Sequence, residues 1–277
     1  MRGGRRVQGL LKALALVALG AILATAVVAG AKKKPPQPAK PMPSPPVSIR
    51  ATGVGLPQVG EQGTVGASDL AATLHSYHDG VQYESDLSAV DSQARAFMLR
   101  QAKALRQKRK QRCSGKGAKK KGRAEASCKP LKLAIVLDID ETSLSNYQQL
   151  SLTDFANAGA ALAAAAIAGN SPAIGPTLDL YRQARSAGIS VFAITGRPSA
   201  IGPQTTSNLN NAGYTDLSGI FFKPGGDAVI PFKSGQRAAL EGQGYRILAN
   251  VGDQESDLAG GHADRSFKLP NPFYFIP

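Results

Sequence analysis

Two cysteines and three histidines in 277 residues leave little scope for soft-metal chemistry. Cys113 and Cys128 have no histidine near them, and His75, His78 and His262 lack companions at ligand spacing. A zinc module is therefore not expected, and each His reads as a surface or cap residue. No cysteine lies near residue 31, so a lipid-anchored amino terminus is not indicated. Acids are missing from residues 1–50, which hold nine Lys or Arg, and aromatics are missing from 100–132, where fourteen bases accompany one acid. Without rings to stack on bases, that tract is not expected to bind nucleic acid specifically. It reads first as a solvated helix end and loop, and second as an attractor of anionic substrates or an anionic envelope polymer. The formal charge of +14 belongs to these two regions, because 133–277 carries nine bases and twelve acids.

A basic start, "MRGGRRVQGLLK", precedes nineteen uncharged and mostly apolar residues, 13–31, that end in Ala29-Gly30-Ala31. This is the pattern of a signal peptide cut after Ala31, or of an uncleaved membrane anchor through 13–31; either puts the remainder outside the cytoplasmic membrane, extracellular or in the cell envelope. Residues 32–67 are rich in Pro, Lys and Gly and are expected to form a disordered spacer. In an exported chain, two cysteines flanking a Gly- and Lys-rich excursion, 112–129, are most simply a disulfide, whose closure contributes up to roughly 3 kcal/mol.

The folded domain is expected over 68–277. Helical spacing predicts one helix from Ser68 to Gly80 and a longer one from about Tyr83 to Gln111, with Leu87, Val90, Ala94, Phe97, Met98, Ala102 and Leu105 on one face. Apolar runs then predict strands at 132–137, 189–194, 219–222 and 245–250, with helices over 174–188, 199–213 and 233–244. The alternation of strand and helix is that of an α/β fold, a Rossmann-like open parallel sheet covered by helices on both faces, whose ligands gather beyond the carboxyl ends of its strands. An Ala-rich insert, about 144–171, is large enough for a small helical cap.

The strand ends carry the chemistry. "KLAIVLDIDETSLSNY" runs an apolar strand into Asp138, Asp140 and Glu141. The second strand leads to Thr195, Gly196 and Arg197, the loop after the third to Lys223 and Lys233, and the fourth to Gly252, Asp253 and Asp257. Clustered carboxylates repel unless a cation or a shifted protonation relieves them, and Mg²⁺ with oxygen ligands does so. Thr and Lys make sense beside it if the ligand is an anion.

"DIDET", "TGR", the later lysine and "GDQESD" resemble the four motifs of the haloacid dehalogenase (HAD) superfamily. "VLDIDETSLSNY" and "FKLPNPFYFIP" are similar to its acid phosphatase subfamily IIIB, the class B acid phosphatase and plant vegetative-storage-protein-like group. The resemblance covers roughly 70–277 and implies an exported, Mg²⁺-dependent phosphomonoesterase acting on a small phosphorylated substrate. It implies that Asp138 is the nucleophile, forming a phospho-aspartate, and that Asp140 is the proton shuttle, lending its backbone carbonyl to the metal. Thr195, with the amide of Gly196, would hold phosphoryl oxygens, and Lys233, in "FKSGQR", would be the anion-stabilising lysine. Asp253 would complete the metal shell with Asp138, and Asp257 would ligate or orient through it.

Each residue also has a plainer reading. Thr195 alone is an ordinary turn hydroxyl, Lys223 a surface residue, Arg197 a pin for its loop, and Glu141 a structural acid. Asp140 is expected to have a raised pKa, from a neighbouring acid and partial burial, because it spends part of the cycle protonated. The competing function is a catalytically idle storage or envelope-binding protein on the same fold; a non-carboxylate at 138 would favour it, and this chain has Asp.

Overall fold

The computed structural model describes residues 68–114 and 128–276. The expected signal or anchor, the spacer 32–67 and most of the basic loop 112–129 lie outside the described residues. Among those described, no helix is long and apolar enough to cross a membrane.

Lys132–Leu137 forms β1, with every residue after Lys132 buried. Its alternation serves two cores: Leu133, Ile135 and Leu137 join one apolar cluster, and Ala134 and Val136 the other. A strand buried on both faces needs the continuous apolar run read from the sequence. Helices α1 (Ser68–Asp79) and α2 (Val81–Ser114) precede it. The expected face of α2 is the one that packs: Leu87, Val90, Ala94, Met98 and Ala102 are buried, and Phe97 and Leu105 are partly buried against them.

After β1 come α3 (Tyr147–Ser151), α4 (Ala158–Ala168) and α5 (Gly175–Ser186). Then β2 (Ser190–Pro198), a 3₁₀ turn at Ser199–Ile201, α6 (Gly202–Asn211), β3 (Gly219–Lys223), α7 (Val229–Gly242), β4 (Tyr245–Gly252), α8 (Glu255–Leu258) and β5 (Arg265–Lys268) follow. The strand order is β3-β2-β1-β4-β5, with every pairing parallel. The chain leaves β1 toward β2 and β3 and returns on the opposite side at β4, so the crevice at the end of β1 lies where the winding reverses.

Helices α2 and α5 share one core, where Thr177 Oγ1 donates to buried Asp91 at 2.9 Å. Phe232 and Leu240 of α7 pack with Val136, Ile194 and Ile247 in the other. The disulfide joins Cys113 to Cys128. Several bases of the basic tract have structural partners: Arg106 donates to Ala187 O at 2.7 Å, Arg109 to Cys128 O at 3.0 Å and Lys132 to Gln243 O at 3.1 Å.

Three differences from the sequence reading have physical causes. A fifth strand, β5, goes unpredicted because its four residues, RSFK, bury only Phe267 well; pairing with β4 defines it, not periodicity. β2 runs on through Pro198, past the expected end at 194, because its edge resumes pairing with Lys223 after a register shift between Thr195 and Pro198. α7 begins at Val229 instead of Lys233, with Pro231 in its first turn, where a missing N–H costs nothing.

Candidate active site

β1 delivers Asp138 to the centre of the sheet edge. Its amide still donates to Val251 O at 3.0 Å, so the residue is fixed by the ladder between β1 and β4. The chain then turns sharply: the amides of Thr142, Ser143 and Leu144 all donate to Ile139 O, and Ser143 Oγ donates to Asp138 O at 2.6 Å. Glu141 takes a left-handed conformation, φ 47°, to make this turn.

β4 delivers Asp253, and the following turn folds Asp257 back over the strand end. That return needs Gly252, since a Cβ there would sit 2.4 Å from the Asp257 Cβ. Asp257 Oδ2 accepts from the Gln254 amide at 2.8 Å, closing a capping box on α8. Carboxylate oxygens of Asp138, Asp253 and Asp257 all lie within 4.8 Å of one another, and all three residues are buried. Lys233, 4 % exposed, pairs with Asp138 Oδ1 and with Asp257 Oδ1, the latter at 2.6 Å.

Each acid is held by further donors. Asp253 accepts from Thr142 Oγ1 at 3.1 Å, Gln254 Nε2 at 2.6 Å and Asn271 Nδ2 at 2.7 Å. Glu141 accepts from the Asn146 amide at 2.5 Å and the Tyr274 hydroxyl at 2.9 Å. Arg237, fully buried, donates to Asp257 O, Ala259 O and Gly261 O, tying α7 to the loop after α8.

Burial, then the nearness of Asp257, pushes the Asp138 carboxyl well above the ordinary range, while Lys233 pulls it back. Burial lowers the proton affinity of Lys233, but Asp138 and Asp257 overcome this and hold it charged. Asp253 is raised to about 6 by burial and Asp257, and Glu141 to about 8 by burial with Asp140 and Asp253. Asp140 departs from expectation. Burial pushes it upward, but the Arg197 guanidinium, with Asn146, holds it below the ordinary carboxylate value. Arg197 Nη2 meets Asp140 Oδ1 at 2.7 Å and Asn146 Nδ2 meets the same oxygen at 2.7 Å.

A cavity of about 430 Å³ opens over this cluster; Asp138, Asp140, Gly196, Lys233, Asp253 and Asp257 all line it. Of the residues expected to serve as nucleophile, proton shuttle, phosphate binder or metal ligand, only Thr195 is not on its wall. It is fully buried, and its Oγ1 accepts from the Arg197 amide at 3.1 Å. Lys223 lies apart, donating to Asp227 O at 2.9 Å. His75 bonds the Tyr147 hydroxyl at 2.9 Å and Asp154 at 3.0 Å, and His78 stacks on Tyr147, so these histidines fasten α1 to the 144–171 insert.

Thr142 closes the DIDET run at the end of the first strand, where the sequence placed it beside the acids; sequence reasoning missed Asn146, Gln254, Asn271 and Ser256, which hold or line the site. Their signal was adjacency to the acidic motifs, except for Asn271, which reaches Asp253 across 18 residues.

The profile of the HAD superfamily, subfamily IIIB (Acid phosphatase), matches residues 58–277, and the chain belongs to that family. It is 41% identical over 112 residues to Acid phosphatase 1 of Solanum lycopersicum, covering 39% of this chain and 44% of that one. It is 31% identical over 148 residues to Vegetative storage protein 2 of Arabidopsis thaliana, covering 51% and 56%. The chain thus spans about half the length of the curated relatives it matches. The class C acid phosphatase from Bacillus anthracis shares the fold, with a TM-score of 0.53 at 18% identity over 75% of this chain and 86% of that one.

Proposed function

We propose that this member of the subfamily IIIB acid phosphatases hydrolyses phosphate monoesters by passing the phosphoryl group through Asp138, with Mg²⁺ as cofactor. The observation that carries the reading is the trio Asp138, Asp253 and Asp257 within 4.8 Å, with Lys233 reaching two of them. These residues fit a hard divalent ion. The donors are carboxylate oxygens, three buried acids and one ammonium leave a formal excess of negative charge, and a divalent cation balances it. Asp138 and Asp253 would hold the ion with the Asp140 carbonyl, and Asp257 would ligate or orient. When bound, Mg²⁺ neutralises charge on the transferring phosphoryl oxygens.

The protein's own groups account for the remaining steps. Asp138 Oδ attacks phosphorus, the bond from phosphorus to the ester oxygen breaks, and the departing alcohol takes a proton from Asp140. Water then attacks the phospho-aspartate, gives its proton to Asp140 and releases inorganic phosphate, restoring both carboxyl groups. Lys233 offsets the charge that would otherwise repel phosphate from a carboxylate, and the Gly196 amide offers a donor to a phosphoryl oxygen. A bound phosphate dianion beside Asp140 opposes the hold of Arg197 and raises its proton affinity when the proton is needed.

We further propose export. The Cys113–Cys128 disulfide suits an oxidising compartment, and the 1–31 pattern suits a route to it. Contact with an anionic envelope polymer through 100–132 is a subsidiary reading resting on its charge. A storage role is the second reading, motivated by the relatives named vegetative storage proteins. One experiment separates the two. The purified chain with Mg²⁺ and an aryl phosphate should turn over, and Asp138→Asn should lose nearly all activity while retaining its circular dichroism. Equal rates in the two proteins would refute the proposal.

A further inference from the structure

The acids and bases account for one part of the cavity, and the rest of its wall has a different chemistry. Helix α4, AGAALAAAAIA, has no polar side chain at all, yet its Leu162, Ala166 and Ile167 line the same cavity as Asp138 and Lys233. Ile201, Val229 and Ile276 extend that apolar surface from three other parts of the chain. Ile167 is 67% exposed, an isoleucine facing the opening where a helix surface ordinarily carries a polar residue. A second, independent feature points to a ligand. Ser256, 1% exposed, also lines the cavity, and its hydroxyl has no hydrogen-bond partner among the described residues. A buried hydroxyl without a partner is destabilising, so it marks where a ligand oxygen belongs.

Resting on the phosphatase reading above, we infer that the substrates are phosphomonoesters of apolar, uncharged alcohols or phenols about one ring in size, and not sugar phosphates or nucleotides. The phosphate lies over the acid cluster, where Ser256 supplies a donor, and the leaving group lies against α4. A cavity of about 430 Å³ is in the range that encloses small ligands. Sugar hydroxyls placed against Leu162, Ala166 and Ile167 would give up water and find no replacement. Among the described residues Tyr274 is the one aromatic ring on the wall, and its hydroxyl is engaged by Glu141, so a nucleobase finds little to stack on. The products are the apolar alcohol, which leaves with the Asp140 proton, and inorganic phosphate, whose new oxygen comes from water.

Two esters isolate this preference. Cyclohexylmethyl phosphate and glucose 6-phosphate both carry phosphate on a primary carbon beside a six-membered ring and differ in the ring oxygen and hydroxyls. With the purified full chain and Mg²⁺, kcat/KM should favour the cyclohexyl ester by roughly tenfold or more. Ile167→Asp, at an exposed position that folding tolerates, should shrink that ratio at least fivefold, mainly through the cyclohexyl ester. Equal kcat/KM for the two esters, a preference for the sugar, or a ratio unmoved by Ile167→Asp overturns the inference while leaving the phosphatase intact. No hydrolysis of either ester or of phenyl phosphate instead removes the reading on which it rests.

Discussion

Arg197 grips Asp140 with two nitrogens. Its Nη2 lies 2.7 Å from Oδ1, and its Nε lies 3.2 Å from both carboxylate oxygens. The same guanidinium reaches Thr205 Oγ1 through Nη1 at 3.2 Å, so the end of β2 fixes the aim of a carboxyl that follows β1. Such a pair orients the carboxyl more tightly than any single bond does, as the proposed proton shuttle would require. Arg197→Gln should therefore lower kcat by about 10²-fold, through misplacement of Asp140, with a smaller effect on KM and a melting temperature near that of the parent. Steady-state kinetics and calorimetry on one preparation decide it; a kcat close to the parent value would show that the pair is not needed for aim.

Removal of divalent metal with a chelator should abolish turnover, and Mg²⁺ should restore it. Asn271 donates to Asp253 from the segment after β5, holding one of the three carboxylates from behind. Asn271→Ala should raise the Mg²⁺ concentration needed for half-maximal activity by roughly 10- to 100-fold, with the rate at saturation changed far less. A metal titration of the two proteins measures this directly.

Gly252→Ala is expected to damage the site by sterics alone. The added methyl meets Asp257, so either the strand end shifts or Asp257 leaves its place beside Lys233 and the Gln254 amide. A loss of about 1–3 kcal/mol in stability, seen by denaturant unfolding, should accompany a higher Mg²⁺ requirement for activity.

Asp91 gives the protein a pH signature remote from the reaction. Burial raises its carboxyl from 3.8 to about 7, with Thr177 opposing the shift. A carboxyl whose folded value lies above its unfolded one favours folding fully below about 3.8; that contribution fades as pH rises, and above 7 the buried charge opposes folding. Asp91→Asn should melt with the parent near pH 4 and several degrees higher at pH 8, roughly 2–4 °C for each kcal/mol recovered. Parallel melting curves across that range would show that burial does not perturb this group.

Much of this arrangement was legible in the residues alone. The run from Leu133 to Leu137 announced a strand buried on both faces, and acids placed at its end had to meet something cationic. The open parallel sheet followed from alternation of strands with helices, though its lateral strand order did not, and the choice of Lys233 over Lys223 came from the motif around it. What stayed hidden was contact between distant positions. The Arg197–Asp140 pair spans 57 residues, and the Tyr274–Glu141 bond spans 133. Neither leaves a local pattern, because a hydrogen bond across the fold imposes no periodicity on either segment. The lowered pKa of Asp140 was missed for the same reason: a neighbouring acid is visible in sequence, and a guanidinium arriving from β2 is not.

The ammonium at 233 gives the molecule a way to survive scarcity. Since it already bridges Asp138 and Asp257, the three acids are not left to push one another apart when minerals run low. On the proposed reading of an exported, Mg²⁺-dependent enzyme, the chain would then wait, silent but intact, and resume work when the cation returns.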